Sequence, residues 1–385
     1  MIKHKIQEKC IVCNGKETED INLPKYPITE IFLETSKNHD EKQFFEDQIY
    51  QFCVKCNHAY LKKILDIRYV YQNYWTTTSA SAGAINCLEN FSKFINSNTN
   101  FENFSSFIDI GGNDSTFFKL YNLKDTKLIN IDPNASGPEN VILIKSFFDD
   151  MDLIEFKNDS KIICSSHTIE HLEDPNDLIS KISAAMNDDD QCFLQFPSIE
   201  KQIEYLRFDQ ITHQHLNLFS LKSISLILKK YGLNIKNFEY DESLYGTLRV
   251  FCKKSSEAKQ LSFVNIDKEI FKNAYEDFYN YYGKLNDTLS NLQIDFSGFG
   301  AGLMVPTLAY NLPFIKNLDF IFEENTEKFN KKFPNINAQI VSIDNMKKNS
   351  NIIITSVSTK ISNRNIYNKL SKLGIKNIIN PILIN

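Results

Sequence analysis

The sequence predicts an α/β protein. Two strand–turn–helix units, one starting at Ser106 and one at Gln293, carry that prediction together with an alternation of short apolar strands and helical stretches after the first. A third observation, two C-x-x-C pairs near the start, predicts a small metal-held unit ahead of the α/β core. With 385 residues, 42% hydrophobic and 24% charged, the chain can bury two or three cores, which excludes disordered and collagen-like classes.

The N-terminal unit rests on Cys10-Ile-Val-Cys13 and Cys53-Val-Lys-Cys56. Each pair places two sulfurs on one knuckle, and together they supply four thiolates for a tetrahedral zinc ion. Asn14-Gly15 and Asn57-His58 follow the pairs, where a tight turn aims backbone amides at sulfur. A closed four-thiolate site leaves no position for substrate, so the metal is expected to hold structure. A redox dithiol is the competing reading, although that motif normally occurs once, at a helix start. Cys87, Cys164, Cys192 and Cys252 sit among apolar neighbours and read as buried hydrophobes.

After the second pair come a short strand, 59–65, a polar aromatic stretch from Tyr69 to Ser81, and an amphipathic helix from Ala82 to Ile95. The strand Ser106-Phe-Ile-Asp-Ile then runs into Gly111-Gly112-Asn113-Asp114, with 115–121 as the following helix. Glycines at such a turn let a nucleoside approach the backbone, and Asp109 at the strand end can accept hydrogen bonds. A second strand, 127–131, ends in Asp132, 21 positions after Gly111, where a doubly wound sheet offers an acid to ribose hydroxyls. Further strands are expected at 140–144, 161–164 and 191–196. Asp174-Pro175, after His171, reads as a helix cap beside a strand end where ligands lie.

From Ser255 to Leu289 the pattern is helical, and then Gln293-Ile-Asp-Phe-Ser runs into Gly298-Phe-Gly300-Ala-Gly302. That turn reads either as a phosphate site or as close strand–helix packing. The net charge of −5, without a dense basic cluster, argues against nucleic-acid or anionic-membrane partners and for a small molecule. No stretch approaches the ~20 apolar residues of a membrane span. The start of the chain lacks a secretion signal's apolar core, so a cytoplasmic location is expected, where thiols stay reduced.

These motifs, in this order, resemble the zinc-containing nucleotide-sugar C-methyltransferases. The resemblance rests on the paired knuckles, the tyrosine-plus-serine segment 74–81, the turn Asp109–Thr116, the E-H-x-x-D-P segment 170–175, and Phe208-Asp-Gln-Ile-Thr-His-Gln-His215-Leu-Asn-Leu-Phe-Ser220 against F-D-x-I-Y-H-E-H-L-x-Y-F-S. It implies a zinc-binding domain over 1–70, a class I, Rossmann-like S-adenosylmethionine-dependent methyltransferase domain over 71–260, a helical connector over 261–290, and a Rossmann-like substrate domain over 291–385. It implies donor contacts at Asp109, Gly111, Asn113, Asp132, Phe148 and His167. His215 is the implied base, with Tyr74, Gln214 and His213 beside it, and the acceptor contacts implied are Tyr71, Ser79, Thr212, Gly298, Gly300 and Glu324. The implied acceptor is a nucleotide-linked keto-deoxysugar of an unusual surface or secondary-metabolite sugar pathway, and the implied state a monomer or weak homodimer. Zinc would then position the segment that bears Tyr74.

The chemistry explains the residue types. Carbon beside a ketone becomes a nucleophile only when a base removes its proton and donors hold the enolate. The chain departs from the family pattern at Thr212 and Gln214, where a tyrosine and a glutamate stand in the family, and at Leu303-Met304-Val305-Pro306, where a lysine is absent. Glu323-Glu324-Asn325-Thr326-Glu327-Lys328 likewise stands against D-D-N-P-x-K. Gln214 cannot act as a general base. O- or N-methylation of a related sugar and a non-catalytic binding homologue are therefore the alternative readings.

Overall fold

The computed structural model describes residues 3–70, 77–147, 150–242, 244, 246–255, 260–356 and 360–382. At its centre lies a seven-stranded sheet of β1 (Ser106–Ile110), β2 (Lys127–Ile131), β3 (Val141–Ile144), β4 (Lys161–Ser166), β5 (Gln191–Pro197), β6 (Leu233–Asp241) and β7 (Thr247–Lys254). The strand order is β3-β2-β1-β4-β5-β7-β6, parallel from β3 to β5, with β7 antiparallel to both of its neighbours. This is the class I Rossmann-like arrangement, and it reverses direction between β1 and β4, where open α/β sheets bind ligands beyond their carboxyl ends.

The central strands β1, β4 and β5 are buried on both faces, as a parallel sheet requires, while the edge strands β3 and β6 are partly exposed. Ile108 and Ile110 pack with helices Pro175–Ala185 and Leu221–Lys230, whereas Phe107 packs with Phe91, Phe94 and Ile95 of helix Ala82–Asn96. The helix starts are locally encoded. Asp174 accepts from the Asn176 amide ahead of Pro175, and Ser220 and Ser223 form a reciprocal capping box. The helix expected over 115–121 is a single 3-10 turn, Phe117–Leu120. Few residues separate the glycine turn from β2, and Phe117, Phe118 and Tyr121 are drawn into one ring cluster with Phe107.

Ahead of this sheet, Thr18–Pro27, Phe45–Cys53 and His58–Leu61 form an antiparallel sheet whose fourth strand, Asn217–Leu218, comes from the far side of the central unit. The strand expected over 59–65 is divided. His58–Leu61 joins that sheet, while Lys63–Leu65 pairs with His4–Ile6. Beyond the central unit, helix Lys268–Asn291 leads to a five-stranded parallel sheet with Ser297–Phe299 in the middle.

One apolar core joins both ends of the chain. It includes Tyr50, Phe52 and Leu61 of the N-terminal sheet, Phe208 and Ile211, Phe271 and Phe278 of the long helix, and Leu308 and Ile321 beyond it. Phe52 stacks on Phe271 at 4.6 Å, and Phe208 meets the edge of the same ring at 5.8 Å. Phe271→Ala is therefore expected to cost about 3–5 kcal/mol. Urea denaturation followed by probes in the N-terminal and C-terminal sheets checks this, with both transitions shifting together.

Candidate functional site

At the carboxyl ends of β1 and β2 the backbone is shaped for a close approach. Gly111 has φ +81, and a Cβ there would lie 2.0 Å from Thr168 Oγ1. A Cβ on Gly112 would meet Asn130 Oδ1 at 2.5 Å and Asp109 Oδ2 at 2.8 Å, so both positions exclude a side chain. Asp132 accepts from the Asn113 and Asn134 amides, at 3.2 and 2.7 Å, which fixes its carboxylate beside the turn. Burial pushes the Asp109 carboxyl up to about 7 and raises Asp132 as well. A cation placed between them would favour their ionised forms. Asn113 Oδ1 accepts from the Thr78 amide at 3.2 Å, and Asp114 accepts from the Ser79 amide at 3.0 Å, so the short 3-10 turn Thr78–Ala80 ahead of helix Ala82–Asn96 is fastened onto the glycine turn.

A cavity of about 870 Å³ opens from this turn, within the usual range for small-molecule sites. Asp109, Gly111, Asn113 and Asp132 line one end. Gln210, Gln214, His215, Glu30, Leu303 and Met304 also line it, so loops next to the seven-, four- and five-stranded sheets contribute. Among the described residues no lysine or arginine lines the cavity, whereas four carboxylates, of Glu30, Asp109, Asp132 and Glu170, do.

His215 is held by its neighbours. Its Nδ1 donates to the Gln210 carbonyl at 3.0 Å, so that nitrogen carries the proton and Nε2 keeps a lone pair. Thr212 Oγ1 accepts from the amides of both Gln214 and His215 at 3.2 Å. Burial, followed by the charge of His171, lowers His215 to about 4, so it is neutral at neutral pH. The His171 ring meets it edge-on at 4.9 Å, and His171 Nδ1 donates to the Gln214 carbonyl at 2.9 Å. His167 goes the other way. Burial lowers it, but hydrogen bonds to Cys87 and Glu170 outweigh that and push it up to about 10. His167 and Glu170, 3.2 Å apart, thus form an ion pair on the cavity wall.

The four sulfurs of Cys10, Cys13, Cys53 and Cys56 lie within 4.8 Å of one another, with contacts of 3.6 Å for Cys10–Cys56 and 3.5 Å for Cys13–Cys53. A tetrahedron with metal–sulfur bonds of about 2.3 Å separates its sulfurs by roughly 3.8 Å, so the set fits zinc. Asn14 and Asn57, at φ +57 and +60, turn the chain after each pair, and their amides bond back to the Cys10 and Cys53 carbonyls. Hydrogen bonds from Cys10 and Cys56 hold Cys53 far below the ordinary thiol value, while the contact with Cys53 pushes Cys10 far up and contacts with Cys10 and then Cys53 push Cys56 far up. A divalent cation at the centre would let all four ionise.

Several residues singled out from the sequence fall elsewhere. His213 is buried between the Tyr26 carbonyl and Gln48 Nε2, at 3.2 and 3.3 Å, and Thr212 holds the turn; neither lines the cavity. Ser79 is exposed, with its amide on Asp114. The C-terminal glycine turn is filled from within. A Cβ on Gly298 would meet Thr355 at 2.9 Å and one on Gly300 would meet Ser356 at 2.7 Å, while Glu323 accepts from the Ala301 amide at 2.9 Å. Glu324 pairs with Lys369 on the surface. Of the two readings of that turn, the contacts match close packing. Tyr71, Tyr74 and Phe148 lie outside the described residues. Glu30, Gln210, Leu303 and Met304 were not singled out as site residues from the sequence. Glu30 carries the one local signal, a buried carboxylate at φ +66 in the Pro27–Leu33 connection, and that signal exists only in three dimensions.

The central sheet and its glycine turn define a methyltransferase-type α/β domain. Residues 87–237 match the family model described as "Methyltransferase domain", so the chain carries such a domain. The chain is also similar to the C-methyltransferase NovU of Streptomyces niveus, 18% identical over 253 residues, a match covering 63% of this chain. That match spans 60% of the relative's length. Among solved structures, the PH0226 protein of Pyrococcus horikoshii OT3 aligns with 49% of this chain and all of its own (TM-score 0.39, 11% identity). The 1,6-didemethyltoxoflavin-N1-methyltransferase of Burkholderia thailandensis aligns with 49% of this chain and 84% of its own (TM-score 0.37, 10% identity). Among the described residues no helix is long and apolar enough to cross a membrane.

The histidines give a stability profile. His213 and His215, lowered to about 4, bind fewer protons folded than unfolded between about pH 4 and their ordinary value of 6.5. Stability is therefore expected to fall as pH drops through that window. His167, raised to about 10, contributes stability that is fully present below 6.5 and is lost as pH rises toward 10. Urea midpoints across pH are expected to peak near neutrality, and His167→Gln should flatten the alkaline limb.

Proposed function

We propose that the protein is an S-adenosylmethionine-dependent C-methyltransferase acting beside a carbonyl group, with His215 as the base and a nucleotide-linked keto-deoxysugar as acceptor. The observation that carries this reading is a neutral imidazole with an unprotonated Nε2 in the same cavity as the glycine turn and its paired acids. When bound, the donor supplies a methyl group on a positively charged sulfur. Asp132 is suited to its ribose hydroxyls, and Gly111 and Gly112 to the close backbone approach. Four carboxyl groups, of which Glu170 is paired with His167, and no described lysine or arginine along the wall favour a cationic donor over an anionic ligand. The acceptor's sugar ring then enters the cavity, with its diphosphate outside the walls described.

Within the cavity His215 Nε2 takes the proton from the carbon beside the carbonyl, and the electron pair moves toward the carbonyl oxygen. The resulting imidazolium is stabilised by the nearby Glu170 charge, one of the influences that raise the His215 value. The fit of the four sulfurs supports zinc as a structural ion. A second reading, transfer to oxygen or nitrogen, draws support from the buried Glu30 carboxylate, which can accept a proton from a hydroxyl or amine.

Incubation with labelled donor and keto-sugar nucleotides is expected to transfer label, and His215→Ala should reduce kcat by about 10²–10⁴-fold, the usual worth of a general base. Undiminished turnover in the variant overturns the role of His215, and mass spectrometry placing the methyl on oxygen or nitrogen selects the second reading. Chelation is expected to lower both the melting temperature and the turnover. Unchanged turnover in verified zinc-free protein would show that the metal has no bearing on the site.

A further inference from the structure

Among the described residues, the segment that carries His215 holds two side-chain donors without a hydrogen-bond partner. Gln210 and Gln214 are 6% and 8% exposed, and each buries its side-chain nitrogen without a hydrogen-bond partner. Both line the cavity that contains the glycine turn. A buried NH2 group left without an acceptor costs about 1–3 kcal/mol. Native folds rarely tolerate two in one place unless a ligand completes them.

Their orientation is set from behind. Thr29 Oγ1 donates to Gln214 Oε1 at 3.1 Å, which ties the carboxamide oxygen to the N-terminal unit and leaves the NH2 group on its other side. Gln210 holds the base through its own carbonyl, which accepts from His215 Nδ1 at 3.0 Å. Thr212 Oγ1 locks the backbone amides of Gln214 and His215 into the same turn. One short segment thus carries a proton acceptor and two unpartnered, buried NH2 groups on residues that line a common cavity.

We propose that the side-chain NH2 groups of Gln210 and Gln214 form an oxyanion site for the enolate oxygen of the acceptor. The proposal rests on the reading of His215 given above. When the carbon–hydrogen bond breaks, the proton goes to His215 Nε2, the carbon–hydrogen electron pair forms the carbon–carbon double bond, and the carbonyl π pair moves onto oxygen. That oxygen becomes the strongest hydrogen-bond acceptor present, and two preorganised donors stabilise it more than they stabilise the ketone. A carboxylate at position 214 would face the same oxygen with like charge. Glutamine there is the residue type the chemistry needs, and Gln210 is its partner.

The test uses 4-nitrophenol, whose phenolate resembles an enolate and absorbs differently from the phenol, titrated into the full chain loaded with S-adenosylhomocysteine. Wild-type protein is expected to bind the probe and to hold it more ionised than Gln210→Met or Gln214→Met does. The bound probe's pKa should rise in each variant, by about one unit or more when both are replaced, the order expected for two neutral hydrogen bonds. Gln214→Glu, close to the native shape, should raise it further. Unchanged S-adenosylhomocysteine affinity and melting temperature identify variants that fold normally. Equal ionisation in wild type and Gln214→Glu, or no saturable binding to wild type, overturns the oxyanion site. The acceptor reading fails separately, if the probe shifts as expected but no keto-sugar nucleotide receives a methyl group.

Discussion

The pairing of Asn217–Leu218 with His58–Leu61 is the constraint on which the rest of the structure depends. It joins two stretches more than 150 residues apart, one just after the last cysteine of the sulfur cluster and one just after His215. Side-chain hydrogen bonds tie this join to both units. His58 Nε2 donates to Asn217 Oδ1 at 3.1 Å, Asn217 Nδ2 donates to the Leu172 carbonyl at 2.7 Å, and Ser220 Oγ donates to the Cys56 carbonyl at 3.3 Å. A buried polar segment such as 207–220 holds one conformation only when its groups find such partners. The N-terminal unit supplies several of them, and His215 is placed as a consequence, while the NH2 groups of Gln210 and Gln214 remain without a partner among the described residues.

The electrostatics of the cavity follow from the same burial. His213 and His215 are kept neutral because each is enclosed by apolar surface and backbone carbonyls with no carboxylate hydrogen-bonded to the ring. His167 is equally enclosed yet stays charged, because Glu170 and Cys87 hydrogen-bond to its two nitrogens. The cavity therefore holds an ion pair, His167 with Glu170, and an uncharged imidazole, His215, among its lining residues. Two histidines of the same lining are thus set to different charge states by their hydrogen-bond partners alone.

Much of the scaffold was legible in the sequence because its signals are local. A glycine turn after an apolar strand, an acid one strand later, and Asp-Pro at a helix start each act within a few residues, and the structure shows the strand, turn and cap there. The cysteine pairs were legible for the same reason, since a knuckle is a four-residue object. The helix expected over 115–121 was misjudged because ring packing against Phe107 decides it. The acceptor end was the least legible. Glu30, Gln210, Leu303 and Met304 come from separate units, and only the shared core around Phe271 brings those units together.

The sulfur cluster gains its meaning from this connectivity. A metal that closes Cys10, Cys13, Cys53 and Cys56 fixes the chain immediately before His58, and His58–Leu61 in turn carries the strand that ends the His215 segment. The path from sulfur to imidazole runs through main-chain pairing, with the Leu61 amide on the Leu216 carbonyl at 3.0 Å, one residue from His215. A metal held at the sulfur cluster would thus bear on the position of His215, because the sheet that starts beside the cluster is completed by the residues that follow His215.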